Sequence, residues 1–108
     1  MQKPEPPYWT VIFSSELEND EGYGPMAERM VALASEQPGF LGVESARDPS
    51  GLGITVSYWR TREDIAAWGR VLEHRAAQDL GHRKWYRWYR LRIARVDEER
   101  GFGEQEGV

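Results

Sequence analysis

The apolar positions of this chain fall into runs of two kinds, one with the spacing of strands and one with the spacing of helices. Tyr8 to Leu17 is dense in aromatic and β-branched residues, which predicts a first strand. Pro25 suits the first helical position, where a missing N–H costs nothing. From there Met26, Met30, Leu33 and Ala34 recur at i, i+4, i+7 and i+8, which predicts a helix with one apolar face. Gln37-Pro38-Gly39 stops it. Phe40 to Arg47 reads as a second strand and Ile54 to Arg60 as a third, joined by Asp48-Pro49-Ser50-Gly51 with turn chemistry. Thr61 is placed to cap a second helix, with Asp64 three residues later as a short-armed capping box. Its buried stripe is Ile65, Trp68, Leu72 and Ala76, and Gly81 is the expected break. Trp85 to Val96 predicts a long fourth strand.

The order strand, helix, strand, strand, helix, strand is the ferredoxin-like split βαβ of the α+β class. A four-stranded antiparallel sheet carries both helices on one face. Residues 8–97 form this domain, after an extended Pro-rich leader over 1–7 and before a Gly/Glu-rich tail over 98–108. Large side chains occupy both faces of the strands, as in Tyr58-Trp59 and Trp88-Tyr89. The face without helices is therefore an apolar patch. A second copy of the chain is the simplest cover, which predicts a homodimer.

Composition narrows the function. The chain has 108 residues, no Cys and a net charge of -4, which rules out disulfides and thiolate metal sites and disfavours nucleic acid as a partner. Six of the fourteen basic residues lie between Arg83 and Arg95, a local charge suited to an anionic small molecule or an acidic partner surface. No apolar run is long enough to cross a membrane and no secretory signal opens the chain, so a cytoplasmic location is expected.

Five Trp and five Tyr are a heavy aromatic load, serving either core and interface or a pocket for a flat ligand. His74 and His82 are the only histidines, and His is the side chain whose pKa suits proton transfer near neutrality. On the helical wheel His74 sits about 180° from Ile65, a half-exposed position open to a structural or a basic role. His82 follows Gly81 in a loop-like stretch and reads as structural. Two histidines without Cys form no metal ligand set. Gly51-Leu52-Gly53 lacks the strand–loop–helix context of a phosphate site.

The stretch Pro38-Gly39-Phe40-Leu41-Gly42-Val43-Glu44-Ser45-Ala46-Arg47 resembles the start of strand two in the antibiotic biosynthesis monooxygenase superfamily. The similarity continues through Tyr58-Trp59, Thr61-Arg62-Glu63-Asp64-Ile65-Ala66-Ala67-Trp68 and Glu73-His74-Arg75-Ala76-Ala77-Gln78, and runs from about Trp9 to Val96. The resemblance implies a dimeric α+β barrel with a pocket between sheet and helices in each subunit. Some members oxygenate phenolic polyketide intermediates without metal or flavin, and others degrade haem. Haem-degrading members carry an Asn on or near strand one, a Trp on the second helix and a His ten residues after it. Trp68 matches the Trp, but the tenth residue after it is Gln78, and the only Asn is Asn19, beyond strand one.

Three functions follow as expectations. The first is a cofactor-independent monooxygenase acting with O₂ on a small hydroxylated aromatic. His74 is then the candidate base, with Trp68 beside it as a catalytic-site residue. Trp59 and Trp85 are candidate walls, and Arg92 or Gln78 would stabilise the substrate anion. The second is a non-catalytic dimer that binds a small molecule or partner. The third is a haem protein, with His74 as an axial ligand.

Overall fold

A computed structural model describes residues 5–78 and 85–103, and the side chains of residues 74–78 lie outside that description. The elements are β1 (Tyr8–Leu17), α1 (Tyr23–Ser35), β2 (Phe40–Arg47), β3 (Leu52–Trp59), α2 (Arg62–Gln78) and β4 (Tyr86–Val96). The strands order as β2-β3-β1-β4, every neighbour antiparallel. This is the split βαβ that the sequence predicts.

Local chemistry sets the boundaries. Asp48 N–H donates to the Leu52 carbonyl at 2.9 Å, which leaves Pro49-Ser50-Gly51 as a three-residue loop with Gly51 at φ 98°. A glycine in the left-handed region is what such a hairpin loop needs. Pairing thus resumes at Leu52, two residues before the predicted start of β3. The Asp48 carboxylate accepts hydrogen bonds from Ser50, which hold its pKa below the usual value. Helix α1 also begins two residues early, at Tyr23, behind Gly22 at φ 74°. Pro25 then occupies the third helical position, where the N–H has no intrahelical partner, so no hydrogen bond is lost.

At α2, Thr61 Oγ1 accepts the Asp64 N–H at 3.0 Å and donates to Asp64 Oδ2 at 2.8 Å. The reciprocal bond returns to the hydroxyl rather than to the Thr61 backbone, because the Asp arm is short. Asp64 also lies against Gly39, where φ is +82° and an added Cβ would stand 2.0 Å from Asp64 Oδ2. The exit of α1 and the cap of α2 are therefore one packed unit.

The core joins Val11, Ala34, Trp59 and Ile65, with Trp9, Phe40, Trp68 and Ile93 packed around them. Trp59 is wholly buried, and its indole N–H donates to Ser57 Oγ at 2.9 Å. Phe40 meets it edge-on at 5.5 Å and Trp68 stacks on it at 6.0 Å.

Because strand side chains alternate, Val11 fixes the two faces. Trp9, Val11, Phe13 and Ser15 face the helices, whereas Tyr8, Thr10, Ile12 and Ser14 face away. On the face without helices Leu52 and Ile54 are 47% and 48% exposed, and Trp88 is 38% exposed. Tyr8 and Tyr58 meet edge-on there at 5.7 Å, the first donating to Glu99 and the second to Glu44. Burial, reinforced by the Glu99 carboxylate, pushes the Tyr8 phenol up to about 12, and burial with Glu44 raises Tyr58 as well.

Gly39→Ala is expected to destabilise the fold by about 2–3 kcal/mol, since it forces an L-residue into the left-handed region and displaces Asp64. Urea unfolding measures this, and a loss below about 0.5 kcal/mol would contradict the Gly39–Asp64 packing.

Candidate functional site

The register places Phe13, Ser57, Thr55 and Leu91 on the helix side of the sheet centre. Helix α1 packs on β2 and α2 on β3. Among the described residues this leaves the helix side of β4 open, with Tyr89 56% and Leu91 50% exposed. The result is a shallow trough along the Tyr89–Leu91 part of β4, bordered by Phe13 of β1 and by the helices. Its two ends differ in chemistry.

One end is indole-rich. Trp9 and Trp59 are directly paired across β1 and β3, Trp68 stacks on Trp59 from α2, and Arg62 lies over the Trp9 ring at 5.7 Å. Trp68 is half-buried and keeps accessible surface. Trp59 does not: with no exposed surface it is a core residue, not the wall expected of it.

The other end is built around Arg47. Its guanidinium donates to Ser15 Oγ at 2.6 Å, to the Ser15 carbonyl at 3.4 Å, to the Gly51 carbonyl and to the Tyr23 hydroxyl at 3.3 Å. It also sits over the Tyr23 ring at 5.2 Å. Tyr86 donates to the Tyr23 hydroxyl at 3.3 Å, and burial raises the Tyr86 pKa although the Arg47 charge works against that rise. Gly53, paired with Arg47, makes room: a Cβ there would stand 2.7 Å from Arg47 Cζ. Arg47 also borders an open cleft of about 550 Å³ at the turn end of the sheet.

The sequence did not single out this cluster. Its one signal was Arg47 closing β2 opposite a glycine, and that becomes visible only once the three-residue loop fixes the register.

Of the sequence-selected residues, Trp59 and Trp68 are brought together, whereas Trp85 and Arg92 lie apart from them. Trp85 is buried at the Arg47 end, where its indole N–H donates to the Glu21 carbonyl at 2.7 Å and its carbonyl accepts from Glu18 N–H at 2.8 Å. It latches the loop before α1, about nine residues along β1 from the Trp9–Trp59 pair, or roughly 30 Å. Arg92 pairs with Ile12 and so lies on the face without helices, away from Trp68. It does not reach the trough of its own subunit. His74 and Gln78 belong to the last turns of α2, and their side chains lie outside the described residues, as does His82.

A sequence model described as antibiotic biosynthesis monooxygenase matches residues 18–80. An uncharacterized protein of Bacillus subtilis, YqjZ, is 57% identical over 102 residues, which cover 94% of this chain and 90% of that protein. Among solved structures, a protein of Nitrosomonas europaea carrying the same family designation superposes with a TM-score of 0.67 at 14% identity, over 89% of this chain and 95% of its own. The haem degrader MhuD of Mycobacterium tuberculosis, solved with two haems in its active site, superposes with a TM-score of 0.60 at 24% identity, over 86% of this chain and 99% of its own. At such identities the structural likenesses speak for the fold alone.

Core and trough roles separate by stability. Trp59→Ala is expected to cost about 3–5 kcal/mol, and Trp68→Ala a smaller amount, about 1–3 kcal/mol. Equal losses in chemical denaturation would contradict the assignment of Trp68 to the trough.

Proposed function

The chain belongs to the antibiotic biosynthesis monooxygenase family, and from that premise we propose that it oxygenates a small hydroxylated aromatic with O₂, without metal or flavin. The observation that supports this reading is the trough. An aromatic floor, an indole wall and an opening beside β4 suit a flat ring, which apolar surroundings bind and shield from water.

In this reading a base removes a proton from a phenolic substrate, and the electron-rich anion passes electrons to O₂. For a methylene flanked by phenolic rings, carbon loses two hydrogens and gains one oxygen as a carbonyl. The second oxygen leaves as water, so no external reductant is needed. His74 is assigned as the base, since its pKa range suits the step. Trp68 holds the ring. A non-catalytic binding role is the first competing reading, and haem, the ligand of the similarly folded MhuD, is the second.

The test is O₂ uptake with a panel of anthrone-like phenols and quinols, alongside haem titration. The expected result is uptake without added metal or flavin, lowered at least 100-fold in a folded His74→Gln protein, the usual scale of a lost general base. A Soret band with no phenol-dependent uptake would overturn the reading in favour of haem. Ligand-dependent stabilisation without uptake would turn it into a binding role.

A further inference from the structure

The Arg47 cluster has donors and a charge but no anion. Its four hydrogen-bond acceptors, the hydroxyls of Ser15 and Tyr23 and the carbonyls of Ser15 and Gly51, are all neutral. Among the described residues no carboxylate pairs with Arg47. A half-buried guanidinium is ordinarily matched to a carboxylate or phosphate, because its charge is poorly screened away from bulk water. The Tyr23 hydroxyl accepts from both Arg47 and Tyr86, which leaves its own proton available to a further acceptor, and none stands among its partners in the described residues. Charge and free donor thus converge on one point.

What stands beside that point is aromatic. Phe13 stacks on Tyr89 at 5.4 Å, Tyr86 meets Phe13 edge-on at 5.4 Å, and Tyr89 is open to solvent. The cleft that Arg47 borders is also lined by Glu18, Asp20 and Asp48. These carboxylates oppose any anion on the cleft side, a polyanion more than a single compact negative group.

We infer that Arg47, Tyr23 and Tyr86 form an oxyanion seat at the end of the trough, and that the ligand is an aromatic monoanion whose carboxylate takes the Tyr23 O–H and the Arg47 charge. The part of the ring system next to the seat lies against Phe13 and Tyr89, and its far end points along the trough toward Trp68. Gly53 is part of the device, because any side chain there displaces the guanidinium. The inference deepens the proposed oxygenase reading in that it names a feature of the substrate for the same trough.

The test is an anaerobic titration with 1-hydroxy-2-naphthoate and with its uncharged amide, followed by Trp fluorescence and by calorimetry. The wild-type protein is expected to bind the acid about tenfold or more tightly than the amide, the scale of a charge-assisted hydrogen bond. Tyr23→Phe keeps the ring under Arg47 and is expected to remove most of that preference. Gly53→Ala keeps every charge and is expected to do the same. Both are checked for fold by circular dichroism, and they carry the test if Arg47→Gln does not fold. Equal affinity for acid and amide, no saturable binding of the acid, or a wild-type preference retained in either folded variant overturns the inference. Because binding is read without O₂, an acid preference with no O₂ uptake would strike the oxygenase reading alone.

Discussion

The structure depends on a shortage of cover. Four strands present apolar side chains on both faces, and two helices can bury only one. Trp59 decides which face that is. Among the described residues it is the one large side chain with no exposed surface, held by Phe40 from the side, Trp68 from above and Ser57 at its nitrogen. Side chains alternate along a strand, so a slip of one residue would put Trp59 outside and Tyr58 inside. The buried indole thus sets the register for β3, and through β3 for its neighbours β2 and β1. Every placement on either face follows from that.

The helices lie over β2 and β3 and reach β1 at Val11, so the same register leaves the Tyr89–Leu91 part of β4 uncovered among the described residues. Packing and function are opposed here. A wider helix layer would bury Tyr89 and Leu91 and add stability, yet it would close the aromatic surface that Tyr89 leaves open on the helix side. The rigid parts sit at the rims. Thr61, Asp64 and Gly39 lock one loop, and Trp85 with the Glu21 carbonyl locks the other. Both rims are tied by hydrogen bonds to backbone or by close contact, which is what positioning a ligand between them requires.

Most of the fold was legible in the sequence because local chemistry determines it. β1 and β2 have the bounds that their composition predicts, and Thr61 caps α2 as expected. The two-residue shifts at α1 and β3 come from glycines, Gly22 and Gly51, whose left-handed backbone extends an element beyond its apolar pattern. The site was far less legible. Aromatic residues on both faces of a strand give no signal of which points inward, so Trp59 and Trp85 resembled pocket walls although burial makes them structural. Arg92 reads as a pocket cation until its pairing with Ile12 sends it to the other face. Arg47, Tyr23 and Tyr86 are scattered over three elements and converge only through long-range register, including the shift at Glu16/Leu17 that brings Tyr86 to Leu17.

If cover is the governing constraint, the exposed face of Leu52, Ile54 and Trp88 must be buried by a second copy, because an apolar sheet face of this kind is not stably left in water. Sedimentation velocity of the wild-type protein against Ile54→Lys is the direct measurement. The account predicts a dimer at micromolar concentration and a folded monomer for Ile54→Lys. A wild-type monomer at that concentration, or a dimer that Ile54→Lys leaves intact, would contradict it.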